Sequence, residues 1–115
     1  MVRVTRVYSE RGDDDGYRVL VDRLWPRGVR KDGAPFDEWL RDVAPSDELR
    51  HWYAHDEAKL AEFVRRYRVE LEVEPAATAL ERLRGLAARG DLTLVTATKE
   101  LALSHAEVLA TELAP

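Results

Sequence analysis

The chain contains no cysteine. That removes thiolate nucleophiles, disulfide staples and cysteine-rich metal centres, and it fits a cytoplasmic setting. Lysine is scarce too, with 3 residues against 15 arginines, so almost all positive charge sits on guanidinium groups. Arginine suits two-pronged contacts with anions, and a coding bias of the source genome gives the same excess. No apolar stretch approaches the ~20 residues that span a bilayer. Residues 1–7 alternate like a strand and lack the apolar centre of a signal peptide. The formal charge of -4 supplies no global field toward nucleic acid or anionic lipid, so any anion site has to be local.

What is present describes one globular domain over residues 1–115. The 45% apolar and 35% charged residues of a 115-residue chain are enough for one modest core. The most informative stretch is Tyr17-Arg18-Val19-Leu20-Val21-Asp22-Arg23-Leu24-Trp25-Pro26-Arg27-Gly28. Val19, Leu20 and Val21 read as a strand buried on both faces. Pro26 and Gly28 then end it in a turn that carries an acid, two arginines and a tryptophan.

Val2, Val4 and Val7 predict an earlier strand, and residues 92–97 a later one. Between the first two strands lies a polar loop with Asp13-Asp14-Asp15, which lacks the fuller ligand spacing of a calcium loop and reads as a solvated turn. That loop is too short for a helical crossover, so the first two strands are either an antiparallel pair or joined in an unusual way. Phe36, Trp39 and Leu40 share one face of an expected short helix. Ser46 is a good N-cap for a helix through Trp52, and Asp56 for the next. Leu60, Phe63, Val64, Tyr67 and Leu71 recur with helical period. Pro75 opens a further helix buried by Leu80, Leu83, Leu86 and Ala87, and Gly90 closes it. Ser104 and Glu107 have the spacing of a capping box, which starts a last helix at Ser104 with Val108, Leu109 and Leu113 inward. The expected fold is therefore α/β: a small, mostly parallel sheet of about three strands with about five helices packed on it.

If strands 17–21 and 92–97 are parallel neighbours, their C-terminal ends share one edge, where open α/β sheets place ligands. That topology brings Asp22, Arg23 and Arg27 toward Lys99, Ser104 and His105. The N-terminus of the last helix adds unpaired N–H groups and a positive dipole end. A pocket there would hold an anion on Arg23, Arg27 and Ser104, with Asp22, His105 and Lys99 as candidate catalytic groups and Trp25 as a lid. His105, in a first helical turn, is expected to be neutral and able to accept a proton. Each residue also has a structural use: Asp22 and Arg23 as turn caps or an ion pair, Trp25 as a core cover, Lys99 as a solvated side chain. A second motif is Arg50-His51-Trp52-Tyr53-Ala54-His55. His51 and His55 have the spacing of helical metal ligands, but the helix break expected before Asp56 spoils that geometry, so no metal site and no cofactor is expected.

The stretch from Asp15 to Gly28, with its Asp-Arg-Leu-Trp-Pro-Arg-Gly core, closely resembles the signature of the YeaO-like family, a bacterial domain-of-unknown-function family (DUF488). The resemblance continues through Trp39, Ala44-Pro45-Ser46, Leu49-Arg50, Trp52, His55-Asp56, Phe63, Arg66-Tyr67, Glu70-Leu71, Thr93-Leu94 and the segment from Lys99 to Leu109. It implies a compact α/β domain. Members typically read Ala-Ala-Lys-Asp where this chain has Ala97-Thr98-Lys99-Glu100, and Asn where it has Ser104. Longer relatives carry a cysteine near the end of the later strand, and this chain has Val95-Thr96 there, so a thiol mechanism does not transfer.

Two functions follow as expectations. One is a domain that binds an anionic small molecule at the C-terminal edge of the sheet, with or without acid–base chemistry. The alternative is a non-catalytic protein- or nucleic-acid-binding module with Trp25, Trp39 and Trp52 exposed. Nothing resembles a basic recognition helix, which weighs against nucleic acid. The tryptophans also leave a homodimer open.

Overall fold

The computed structural model describes residues 1–114. Its strands are β1 (Val2–Arg6), β2 (Tyr17–Leu20), β3 (Glu38–Trp39) and β4 (Leu92–Thr96). Its α-helices are α1 (Asp47–Tyr53), α2 (Leu60–Glu70), α3 (Ala76–Arg89) and α4 (His105–Leu113), with single 3₁₀ turns at Arg41–Val43, Glu57–Lys59 and Leu101–Leu103. The strands form one fully parallel sheet in the order β1-β4-β2-β3. The fold is α/β, and β2 and β4 are the parallel neighbours that the sequence predicts.

Strand alternation sorts the side chains into two unlike faces. Val19, Val21, Leu92 and Leu94 join Phe63, Tyr67, Leu80, Leu83 and Leu109 in one cluster, so this face is covered by helices. The opposite face carries Val7, Leu20 and Val95, packed against Phe36 from the segment before β3 and Trp39 from β3 itself. Of the helix residues expected to face inward from periodicity, Phe63, Tyr67, Leu71, Leu80, Leu83, Val108 and Leu109 are buried, while Leu60, Val64, Leu86, Ala87 and Leu113 are half-buried at the margin of the same cluster.

The loop-covered face explains two buried polar residues. Arg18 and Thr93 sit next to each other in the β2–β4 register. Arg18 is 0% exposed. Its guanidinium donates to Asp15 Oδ2 at 2.6 Å, and the Thr93 hydroxyl donates to the Asp15 carbonyl at 2.8 Å. A helix has no free backbone groups to offer such side chains, whereas an irregular segment does. Gly16 closes this contact: it has φ +64°, and a Cβ there would lie 2.2 Å from the Asp91 carbonyl oxygen.

One open alternative of the sequence reading is decided, and one expectation is corrected. β1 and β2 are not an antiparallel pair. They flank β4 and run parallel, joined by an irregular crossover without a helix. Arg18, Thr93 and Gly16 hold that crossover from beneath. Phe36 to Leu40 is not helical. The open edge of β2 claims this backbone: Asp37 N–H donates to the Arg18 carbonyl at 2.8 Å and Leu40 N–H to the Leu20 carbonyl at 2.9 Å. The Trp39 indole N–H donates to the Asp22 carbonyl at 2.7 Å.

The predicted caps are in place. Ser46 Oγ accepts from Leu49 N–H at 3.1 Å, and Asp56 Oδ1 accepts from Ala58 N–H at 3.0 Å. Pro75 precedes α3 and Gly90 follows it. The box at Ser104 is half made: Oγ accepts from Glu107 N–H at 3.4 Å, while Ser104 N–H donates to the Leu101 carbonyl.

Candidate functional site

Because all four strands are parallel, their C-terminal ends lie at one edge. A cleft of about 400 Å³ opens there. Its walls come from the segments that leave the strands: Tyr8 after β1, residues 22–27 after β2, Ala44 and Pro45 after β3, and Ala97 and Thr98 after β4. The helical layer adds Arg50, His55, Phe63 and His105.

Asp22 anchors the floor. Its Oδ1 accepts from the Thr96 hydroxyl at 2.7 Å, and its Oδ2 accepts from Ala97 N–H at 2.8 Å. The carboxylate therefore clasps the end of β4 to the end of β2. The Thr96 hydroxyl is given to Asp22, so it is not a free nucleophile.

His105 is the first residue of α4. Its Nε2 lies 2.9 Å from the Val21 carbonyl oxygen and 3.4 Å from Asp22 Oδ1. A carbonyl only accepts, so Nε2 carries the proton. In the neutral ring Nδ1 then holds the lone pair, and it has no hydrogen-bond partner among the described residues. Burial pushes the His105 pKa down. Asp22 and the Val21 carbonyl push it up, and the electrostatic influence of neighbouring His55 and Arg50 pushes it down again. The neutral form expected from the sequence is favoured, with burial rather than the helix dipole as the main cause.

Three arginines line the cleft, Arg23 and Arg27 from the segment after β2 and Arg50 from α1. Arg23 is held from behind: its Nη2 donates to the Ala44 carbonyl at 3.0 Å and its Nε to the Pro45 carbonyl at 3.4 Å. Those partners leave its charge uncompensated. The Arg27 side chain is exposed and has no hydrogen-bond or ion-pair partner among the described residues, while its carbonyl accepts from the Tyr8 hydroxyl at 2.9 Å. Arg50 donates to Asp47 at 2.8 Å through Nη2, and its Nε is buried without a partner. Trp25 is fixed at the wall by a 2.7 Å bond from its indole N–H to the Val29 carbonyl and by edge contacts with Phe36 and Trp39.

The structure thus brings Asp22, Arg23, Arg27, Trp25 and His105 together, and it adds the second motif's Arg50 and His55 to the same cleft. α1 ends at Tyr53, and Ala54 and His55 both have positive φ, which swings His55 off the helix and away from a shared face with His51. Two expected members do not line the cleft. Lys99 is exposed beside the turn that leaves β4. Ser104 is buried, and its hydroxyl donates to the Leu101 carbonyl at 2.7 Å. A 3₁₀ turn at Leu101–Leu103 intervenes between the cleft-lining Thr98 and His105. Thr98 and Tyr8, which the sequence reading did not select, line the cleft instead. Their position next to the ends of β4 and β1 is the signal that could have found them.

The fold and site define a small parallel α/β domain with a cationic cleft at the C-terminal strand edge. The chain belongs to the DUF488 family: residues 1–115 match the group described as "Inactive DUF488-N3 subclade". It is 52% identical over 109 residues to uncharacterized proteins of Mycobacterium tuberculosis and Mycobacterium bovis, which covers 95% of this chain and 90% of each of theirs. It is 38% identical over 109 residues to the uncharacterized protein YeaO of Escherichia coli, covering 95% of this chain and 93% of that one. No solved structure matches it. No helix among the described residues is long and apolar enough to cross a membrane.

Proposed function

We propose that this domain binds an anionic small molecule in the cleft at the C-terminal edge of the sheet, in the cytoplasm and without covalent chemistry. One observation carries the reading: three guanidinium groups line the cleft, and its single carboxylate is already occupied by the end of β4. Arg27 and Nη1 of Arg50 are the anion contacts, and Arg23 adds charge from a fixed position. His105 supplies a hydrogen-bond acceptor at Nδ1 that can take a proton from a ligand. The absence of cysteine and the engagement of Thr96 and Asp22 favour binding over catalysis. The description of the subclade as inactive points the same way.

The alternative of an aromatic docking face has less support. Trp25 and Trp39 spend their indole N–H groups on backbone carbonyls, and Trp52 is flanked by Arg66 and Lys59. The test is Arg27→Ala. Arg27 is exposed and its guanidinium is unpartnered, so the melting temperature should stay within about 2 °C, in line with a change of ±0.5 kcal/mol for such a site. Binding of inorganic phosphate, read by calorimetry at low ionic strength, should fall at least about tenfold, the loss of one charge-assisted contact. Unchanged phosphate affinity would count against the reading.

A further inference from the structure

The cleft is not built for a bare oxyanion. Its volume of about 400 Å³ lies in the range of sites for organic ligands, roughly 300–1,000 Å³. Much of its wall is apolar, from Leu24, Trp25, Pro26, Pro45 and Phe63. Leu24 is 63% exposed, and Tyr8 is half exposed across the same opening. Large apolar side chains left open beside unpaired guanidinium groups are what a ligand with an apolar body would cover. The charges point to the head group. Three arginines face one carboxylate in the lining, while Asp47, outside it, takes one Arg50 nitrogen. A phosphate monoester carries about -1.5 to -2 charges at neutral pH and three acceptor oxygens, which suits several guanidinium groups better than a carboxylate does.

We infer that the ligand is a phosphate monoester with an apolar or aromatic body, its phosphate on Arg27 and Arg50 and its body against Leu24 and the neighbouring wall. This rests on the anion-binding reading and adds the ligand class. The experiment is a set of calorimetric titrations of the full chain with inorganic phosphate, phenyl phosphate and benzoate in a phosphate-free buffer of low ionic strength. Phenyl phosphate should bind at least about tenfold tighter than either of the others. Leu24→Ala should reduce that advantage severalfold and leave the affinity for inorganic phosphate unchanged. Equal affinity for phenyl phosphate and inorganic phosphate would overturn the inference about the body while leaving the anion site standing. Benzoate binding as tightly as phenyl phosphate would overturn the phosphate head. No binding of any of the three would overturn both this inference and the reading it rests on.

Discussion

Arg18 shows how far a single side chain can depart from its usual place. It is enclosed on β2 beneath the crossover loop, and Asp15 is the charged partner of its guanidinium. Burial works against the charge on Asp15, but the bonds from Gly12 N–H and Arg18 hold its pKa below the usual carboxylate range. Asp15→Ala should therefore leave a buried cation unpaired and cost about 3–5 kcal/mol in a urea titration, the usual loss on breaking a buried pair. A loss under about 1 kcal/mol would show that the Ser9 carbonyl, which accepts from Arg18 Nη2 at 3.5 Å, serves the guanidinium as well. The sequence did not show this role, because an arginine beside Val19 and Leu20 reads as an outward position; its burial depends on a loop closing over that face. Asp22 and His105 were legible, since each stands at the junction between a regular element and a turn. His105 also gives a pH prediction. Its folded pKa is lowered and its unfolded pKa is about 6.5, so below that value the unfolded state binds the extra proton first. Stability should thus fall as pH drops through about 6.5, and His105→Gln should flatten that part of a melting temperature–pH curve. A wild-type curve flat from pH 7.5 to 5.5 would contradict the burial of a neutral imidazole.

Short elements are where pattern reading and the structure part company. The spacing of Phe36, Trp39 and Leu40 suits a helix, yet the unpaired edge of β2 draws that backbone into β3. A strand of two residues leaves no period to detect. The 3₁₀ turn at Leu101–Leu103 was invisible for the same reason, and it holds the Ser104 hydroxyl on the Leu101 carbonyl instead of in the cleft. Long elements fared better: the stripe of α2 and the caps of α1 and α3 stand where periodicity and capping residues put them. Ser46 is the cap with the most attached to it. Besides accepting from Leu49 N–H, its hydroxyl donates to Glu70 Oε2 at 2.6 Å and its N–H donates to Glu70 Oε1 at 2.8 Å. It ties the start of α1 to the end of α2, so Ser46→Ala should cost about 2 kcal/mol, the upper end for a lost N-cap. Chemical denaturation would read it, and a cost near 0.5 kcal/mol would reduce Ser46 to an ordinary cap.

At the scale of the whole molecule, the cleft is a product of topology. β4 enters the sheet last and lies between β1 and β2, so the segments leaving all three strands meet over one edge. That meeting was legible for residues 22–27 and for His105, because parallel neighbours must share an edge. The arrival of Arg50 and His55 was not, because it depends on the length of α1 and on the left-handed turn at Ala54 that ends it. The central claim is that these separated segments form one anion site. The most direct measurement is a two-dimensional amide NMR titration of the folded chain with inorganic phosphate at low ionic strength. The account predicts saturable shifts confined to residues 22–28, 97–98 and the neighbourhood of Arg50 and His55, all following one binding curve. Shifts that never saturate, or that appear on the outer faces of α2 and α3 while the cleft stays silent, would contradict it.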